Sequence, residues 1–196
     1  MLITFEGIDG SGKTTLSQEL YRFLKLKGFK VHIFREPGGT PAGEYIRSLL
    51  LEEELNERAE LLLFEASRAE LVSTKVMPAL ERGEIVILDR FTDSTLAYQG
   101  FGRGVDIEYI RELNSFASFG IKPDLTFLLD LEPSLAVARV KEKSKFDNVG
   151  FLKKVREGFL KLASEDRDRF VVLDASRERD EVFRDVVKAL SGKLGF

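Results

Sequence analysis

Gly7-Ile8-Asp9-Gly10-Ser11-Gly12-Lys13-Thr14 is the stretch that decides the fold. It has the spacing G-x-x-x-x-G-K-[ST], follows an apolar run at residues 2–5, and opens a helical pattern carrying Leu16, Leu20, Phe23 and Leu24. Each residue type has a physical reason. Glycines allow backbone angles that other residues resist, so successive N–H groups can turn inward on a phosphate. The helix that starts at Lys13 adds its unpaired N–H groups and the positive end of its dipole. Lys13 is expected to reach the β- and γ-phosphates of a nucleotide, and the Thr14 hydroxyl to ligate Mg²⁺. A strand, this loop and a helix in that order form a phosphate loop, and the loop binds a nucleotide.

Outward from the loop, apolar and β-branched runs at residues 2–5, 30–34, 85–89, 125–130 and 170–173 read as strands. Helical patterns separate them, at residues 13–27, 43–51, 57–82, 106–119, 133–143, 150–165 and 179–194, with Pro78 expected to bend or divide the long one. Between residues 89 and 106 the sequence reads as a polar stretch and a glycine-rich turn at residues 100–104. Strands alternating with helices predict an α/β fold, a doubly wound five-stranded parallel sheet of right-handed crossovers. Ligands of such sheets sit outside the carboxyl ends of the strands. The strand ends here are chemically pointed: Glu6-Gly7, Arg35-Glu36-Pro37-Gly38-Gly39, Asp89-Arg90 and Asp130.

The bulk numbers narrow the function classes. A chain of 196 residues suits one domain with a small lid. Its 43% hydrophobic and 32% charged content describes a soluble globular protein. A net charge of −3 and a pI near 5.5 argue against sequence-independent nucleic-acid binding and against an anionic membrane surface. There is no secretory pattern at the N-terminus and no run of membrane-spanning length, so the expected location is cytoplasmic. The absence of cysteine removes disulfides and thiolate metal sites, and a single histidine, His32, argues against zinc.

Residues 85–89 are an apolar strand ending in an acid, whose carboxylate can hold the Mg²⁺ that also meets Thr14. Asp9 is the odd residue of the loop, because a carboxylate repels phosphates. It points either to solvent or to a hydroxyl of a second substrate.

Three segments together resemble the thymidylate kinase family. They are residues 7–15, from Gly7 to Thr15; Arg35-Glu36-Pro37-Gly38-Gly39-Thr40; and Asp89-Arg90-Phe91-Thr92-Asp93-Ser94-Thr95-Leu96-Ala97-Tyr98-Gln99-Gly100. Leu63-Phe64-Glu65-Ala66-Ser67-Arg68 extends the match. The resemblance implies transfer of the γ-phosphoryl group of ATP to dTMP, giving dTDP, by a homodimer using Mg²⁺. Gly7, Ile8, Asp9, Gly10, Ser11, Gly12, Lys13, Thr14, Thr15 and Arg139 would hold ATP, and Thr14 and Asp89 the metal. Arg35 and Arg90 would hold the dTMP phosphate, Asp9 the sugar 3′-hydroxyl, and Tyr98 would leave no room for a 2′-hydroxyl. Phe64 would stack on the thymine, Arg68 would donate to its exocyclic oxygen, and Ser94 and Gln99 would complete base recognition. The catalytic groups implied are Lys13, Arg90, Asp9 and a cation from a lid around residues 139–150, for which Arg139, also expected to stack on the adenine, is the choice and the lysines are left open. Arg139, Lys141, Lys143 and Lys145 are the lid's cations; the family's usual Asp-Arg pair is replaced by Asn148 after Phe146-Asp147. The alternatives are the same fold with a different acceptor nucleotide or nucleoside, or a nucleotide-dependent switch or binding module.

Overall fold

The computed structural model describes residues 1–140 and 148–195. β1 (Leu2–Glu6) runs through the middle of a five-stranded sheet and is buried along its length. β3 (Ile85–Asp89) lies on one side of it with β2 (Val31–Arg35) beyond; β4 (Leu125–Asp130) lies on the other with β5 (Phe170–Asp174) beyond. All neighbouring pairs are parallel. Successive residues of a strand face opposite sides, and both sides here are covered. Ile3, Phe5 and Ile87 join Leu16, Leu20 and Leu24 of α1 (Lys13–Leu26) and Val182, Val186 and Leu190 of α9 (Arg179–Leu194). Leu2, Val86 and Leu88 instead meet Leu71, Val72, Val76 and Ala79. Strands buried on both faces must be apolar nearly throughout, which is why residues 85–88 show no alternation.

The register carries the strand ends to one edge. Asp89 stands opposite Phe5 on one side and Arg35 on the other, and Glu6 stands opposite Leu128. The remaining helices are α2 (Pro41–Glu52), α3 (Glu57–Leu71), α4 (Met77–Glu81), α5 (Thr92–Thr95), α6 (Ile107–Ala117), α7 (Pro133–Arg139) and α8 (Val149–Glu165).

Three expectations are sharpened or overturned. Residues 57–82 divide, one of the two outcomes expected of Pro78, into α3, a π-helical stretch Val72–Val76, and α4. Proline lacks an N–H and its ring presses on the carbonyl four residues back, so the turn before Pro78 widens. The residues after Asp89 are not a polar stretch and turn. They are α5 and a π-helical segment Leu96–Gly102, buried from Leu96 to Gly100. Missing side chains explain it: a Cβ at Gly100 would lie 2.4 Å from Ile107 Cδ1, and one at Gly102 would lie 2.7 Å from the Phe151 ring. α8 reciprocates, since a Cβ at Gly158 would lie 2.6 Å from the Phe101 ring. Third, α7 stops at Arg139 and Val140 is extended; residues 141–147 lie outside the described residues.

Candidate active site

β1 delivers Gly7 into the phosphate loop and α1 leaves it. Gly7 has φ 138° and Gly10 φ 80°. A Cβ at Gly7 would stand 2.6 Å from the Leu129 carbonyl oxygen, and one at Gly10 would stand 2.4 Å from that of Ala136. Side chains cap α2, α3, α6 and α8 (Thr40, Asn56, Asp106 and Asn148), whereas α1, like α7 and α9, has no side-chain cap and starts from Gly12 of the loop itself. The first N–H groups of α1 are thereby left for an anion. The Ser11 hydroxyl oxygen is buried in the loop without a hydrogen-bond partner.

The Lys13 ammonium donates to the Ile8 carbonyl at 2.8 Å and lies 3.9 Å from Asp9. Burial and the charge of Arg90 push its pKa down to about 8, against the pull of Asp9, Asp89 and Glu6. The Thr14 hydroxyl donates to Asp89 Oδ2 at 2.5 Å, so the two expected metal ligands converge. No group of three or more His, Cys, Asp or Glu side chains that could hold an ion occurs among the described residues. This donor set fits a Mg²⁺ that takes its other ligands from phosphate and water, because the hard ion prefers oxygen and keeps several waters. Thr15 is exposed on the first turn of α1.

Beside the loop opens a cleft of about 520 Å³, which Asp9 and Gly10 of the loop itself help to line. Asp9 does not point to solvent alone. Its Oδ1 accepts from Arg90 at 2.6 Å, and its N–H donates to the Tyr98 hydroxyl at 3.2 Å. Burial would raise the Asp9 carboxyl, but Arg90 and Lys13 hold it well below the usual carboxylate range. Arg90 is in the left-handed region at φ 72°, a strained setting for a residue with a side chain. Its backbone is fixed on both sides: Arg90 N–H donates to the Phe5 carbonyl at 3.0 Å, and Phe91 N–H donates to Glu6 Oε1 at 2.8 Å. The guanidinium also donates to Ser94 Oγ at 3.0 Å, and Ser94 in turn donates to Glu6 Oε2 at 2.5 Å. Glu6 is fully buried, and burial and the Asp93 charge push its carboxyl up to about 8.

The far wall carries Phe64, Arg68, Tyr98 and Gln99. Phe64 and Arg68 share a face of α3, as their spacing of four predicts. Arg68 is 2% exposed, and all five of its N–H donors are engaged. Nε and one terminal nitrogen meet Glu36 at 2.9 and 2.8 Å, and the others meet Glu65 at 2.8 Å, Asn114 at 2.5 Å and Thr95 at 2.9 Å. Burial lowers and these carboxylates raise its pKa, with a net rise, while burial pushes the Glu36 carboxyl up to about 7. A hydrogen bond from Arg68 to a ligand therefore requires one of these partners to let go.

Arg35 does not line the cleft. It is half-exposed and pairs with Glu44 at 2.7 Å. Arg47 of α2 lines the cleft instead, donating to the Pro37 carbonyl at 3.1 Å. Burial and the nearby Arg35 charge lower the Arg47 pKa, so these two guanidiniums stand within electrostatic reach of each other and of Arg90. Arg139 ends α7 on the opposite side of the loop, where it donates to the Ala175 carbonyl at 3.0 Å. Lys141, Lys143 and Lys145 lie outside the described residues.

Sequence reasoning missed Arg47, Glu60 and Arg156, and it picked out Glu6 and Glu36 at the strand ends without giving them a role. Arg156 on α8 grips Asp130 at the end of β4 through two bonds, at 2.6 and 3.0 Å, and also meets Glu132. A signal existed for one of them. Glu60, Phe64 and Arg68 recur at spacing four and therefore share a helix face. Nothing in the sequence marks Arg47 over the other charges of its helix.

Comparisons with known proteins agree with one another. The family model for thymidylate kinase matches residues 5–186. The thymidylate kinase of Chlorobaculum tepidum is 46% identical, with 97% of this chain and 96% of the relative covered. That of Thermosipho africanus is 47% identical, with 95% of each covered. The crystal structure of thymidylate kinase from Ehrlichia chaffeensis superposes with a TM-score of 0.84 at 39% identity, covering 97% of this chain and 98% of that one. On sequence and on structure, over nearly its whole length, the chain belongs to the thymidylate kinase family.

Proposed function

We propose that this protein transfers the γ-phosphoryl group of ATP to dTMP, forming dTDP. The observation that carries the reading is that the phosphate loop and the nucleotide-sized cleft share a wall: Asp9 and Gly10 belong to both. A donor phosphate on the loop and an acceptor phosphate beside Arg90 would then lie in adjoining sites. A phosphate oxygen is already a nucleophile, so no general base is needed, and the protein's work is positioning and charge neutralisation.

Arg90 and Arg47, joined by Arg35 once it leaves Glu44, hold and orient the acceptor phosphate through forks of charge-assisted hydrogen bonds. Asp9, kept ionised, accepts the sugar 3′-hydroxyl. Tyr98, held by Asp9 and Arg90, crowds the 2′ position. Phe64 stacks on the base, and Ser94 and Gln99 meet its edge, joined by Arg68 once one of its present partners lets go. Lys13 and the α1 N–H groups follow the charge that develops on the transferred group. Thr14 and Asp89 would hold Mg²⁺, which when bound neutralises and orients the ATP phosphates. Arg139 is the cation assigned to the adenine and to a lid over residues 139–150, the whole chain acting as one kinase domain.

This reading includes a cytoplasmic homodimer. No helix among the described residues is long and apolar enough to cross a membrane. Tyr45 and Leu49 on α2, Leu62 on α3 and Phe116 on α6 are exposed apolar side chains that support self-association. Sedimentation of wild type and Leu62→Glu tests it, with a shift toward monomer expected in the variant and a monomeric wild type contradicting it.

The catalytic test is ADP formation with and without dTMP in wild type and Arg90→Ala. Wild type should release one ADP per dTDP. The variant should lose dTMP-dependent transfer by about 100-fold or more while binding ATP nearly as before. A parallel loss of ATP binding would mean that Arg90 serves the donor site instead.

A further inference from the structure

Glu60 is a buried carboxylate that the mechanism above does not use. It lies one turn before Phe64 on α3 and is 1% exposed. Its Oε1 accepts from Gln99 Nε2 at 3.0 Å, and its Oε2 lies 3.5 Å from the Arg103 guanidinium. Gln99 is itself 2% exposed, lines the cleft beside Phe64, and its Oε1 accepts from no described residue.

An amide can turn over and present either its oxygen or its NH₂ group at nearly the same place. A carboxylate beside it removes that freedom. The turned amide would bring two acceptors to 3.0 Å in a buried setting, leaving both without a proton to share. Glu60 accepts from the Gln99 NH₂ group with one oxygen and faces the Arg103 guanidinium, itself a donor only, with the other. The Gln99 NH₂ group is thereby committed to Glu60, and the Gln99 carbonyl oxygen to the cleft.

We infer that Glu60, which touches no substrate, sets the base specificity of the cleft by locking the Gln99 amide with its acceptor toward the ligand. The inference rests on the dTMP reading and narrows it: the cleft selects bases that carry an imino N–H on the edge meeting Gln99. Thymine and uracil have that N3–H. Cytosine offers a lone pair at N3 and would face a second acceptor. Glu60 is thus a positioning residue acting through Gln99.

The test compares kcat/KM for dTMP, dUMP and dCMP in wild type, Glu60→Gln and Glu60→Leu, with ATP affinity and thermal unfolding as controls. The glutamine variant can donate or accept at this position and the leucine variant does neither, so both release the Gln99 amide. The ratio of dTMP to dCMP should fall by about tenfold or more in both variants, with dUMP falling in step with dTMP and ATP affinity unchanged. The double exchange Glu60→Gln with Gln99→Glu reverses the hydrogen bond, returns an acceptor to the cleft and should restore the ratio. On wild type alone, 3-methyl-dTMP should bind far more weakly than dTMP. Folded variants that keep the wild-type ratio, or 3-methyl-dTMP binding as well as dTMP, would overturn the role of Glu60 and leave dTMP kinase activity standing. A wild type that prefers dCMP would overturn both.

Discussion

Burial first, and a neighbouring guanidinium second, lowers the pKa of both Lys13 and Arg47, with Arg90 beside the one and Arg35 beside the other. The sign for Lys13 is definite. Its pKa is about 8 in the free protein, and phosphates favour the charged form, so ATP binding must take up a proton where free Lys13 is partly neutral. Calorimetric titrations in two buffers of different ionisation enthalpy should show net uptake near pH 8.5 and almost none near pH 6.5, a window roughly one unit either side of half-titration. Lys13→Met should abolish the uptake, and a wild type without it would contradict the described setting of Lys13. For Arg47, a phosphate would replace the repulsion of Arg35 with attraction. Arg47→Ala should raise the KM for dTMP by roughly 10- to 100-fold, the worth of one charge-assisted contact, with little change in KM for ATP. An unchanged KM for dTMP would remove Arg47 from the acceptor site. At this scale the sequence was informative wherever a residue was out of place, as Asp9 is inside an anion-binding loop. Arg47, one charge among several on an amphipathic helix, carries no such mark, and only the packing of α2 against α3 turns it to the cleft.

The element that most changes the picture is the segment from Thr92 to Gly102. Its strand neighbours were legible because apolar β-branched runs have few other uses, and β3 lies within the residues assigned to it. This segment was not legible, because its helical form depends on partners far away in the chain. Gly100 and Gly102 let it press on α6 and α8, and Gly158 lets α8 press back on Phe101. The consequence is testable by an inversion of the usual rule. Glycine to alanine inside a helix ordinarily stabilises by about 0.5–1 kcal/mol. Gly158→Ala should instead destabilise, by about 1–3 kcal/mol for overpacking, because its Cβ meets the Phe101 ring. Since the π-helical segment carries Tyr98 and Gln99, the same variant should raise the KM for dTMP more than that for ATP. Thermal unfolding and steady-state kinetics check the two halves, and a more stable variant would show that the contact yields freely.

The whole molecule gathers its chemistry along one edge of the sheet. β1 ends in Glu6 and the phosphate loop, β2 in Arg35, β3 in Asp89 and Arg90, and β4 in Asp130. The α/β alternation made that edge legible from the start, since parallel strands bring all their carboxyl ends together. What the sequence could not supply was the second layer that holds those groups: Glu6 under Arg90, Glu36 and Glu65 around Arg68, and Glu60 behind Gln99. Buried carboxylates look like ordinary surface charges until the fold encloses them. The most direct test of the account is phosphoryl transfer from Mg-ATP to dTMP, dUMP, dCMP, AMP and UMP under identical conditions. A dTMP kinase with this cleft should use dTMP first and dUMP below it by about 10- to 200-fold, the worth of one methyl group in an apolar pocket, with AMP and UMP near background. Preference for a ribonucleotide, or ADP release that needs no acceptor, would contradict it.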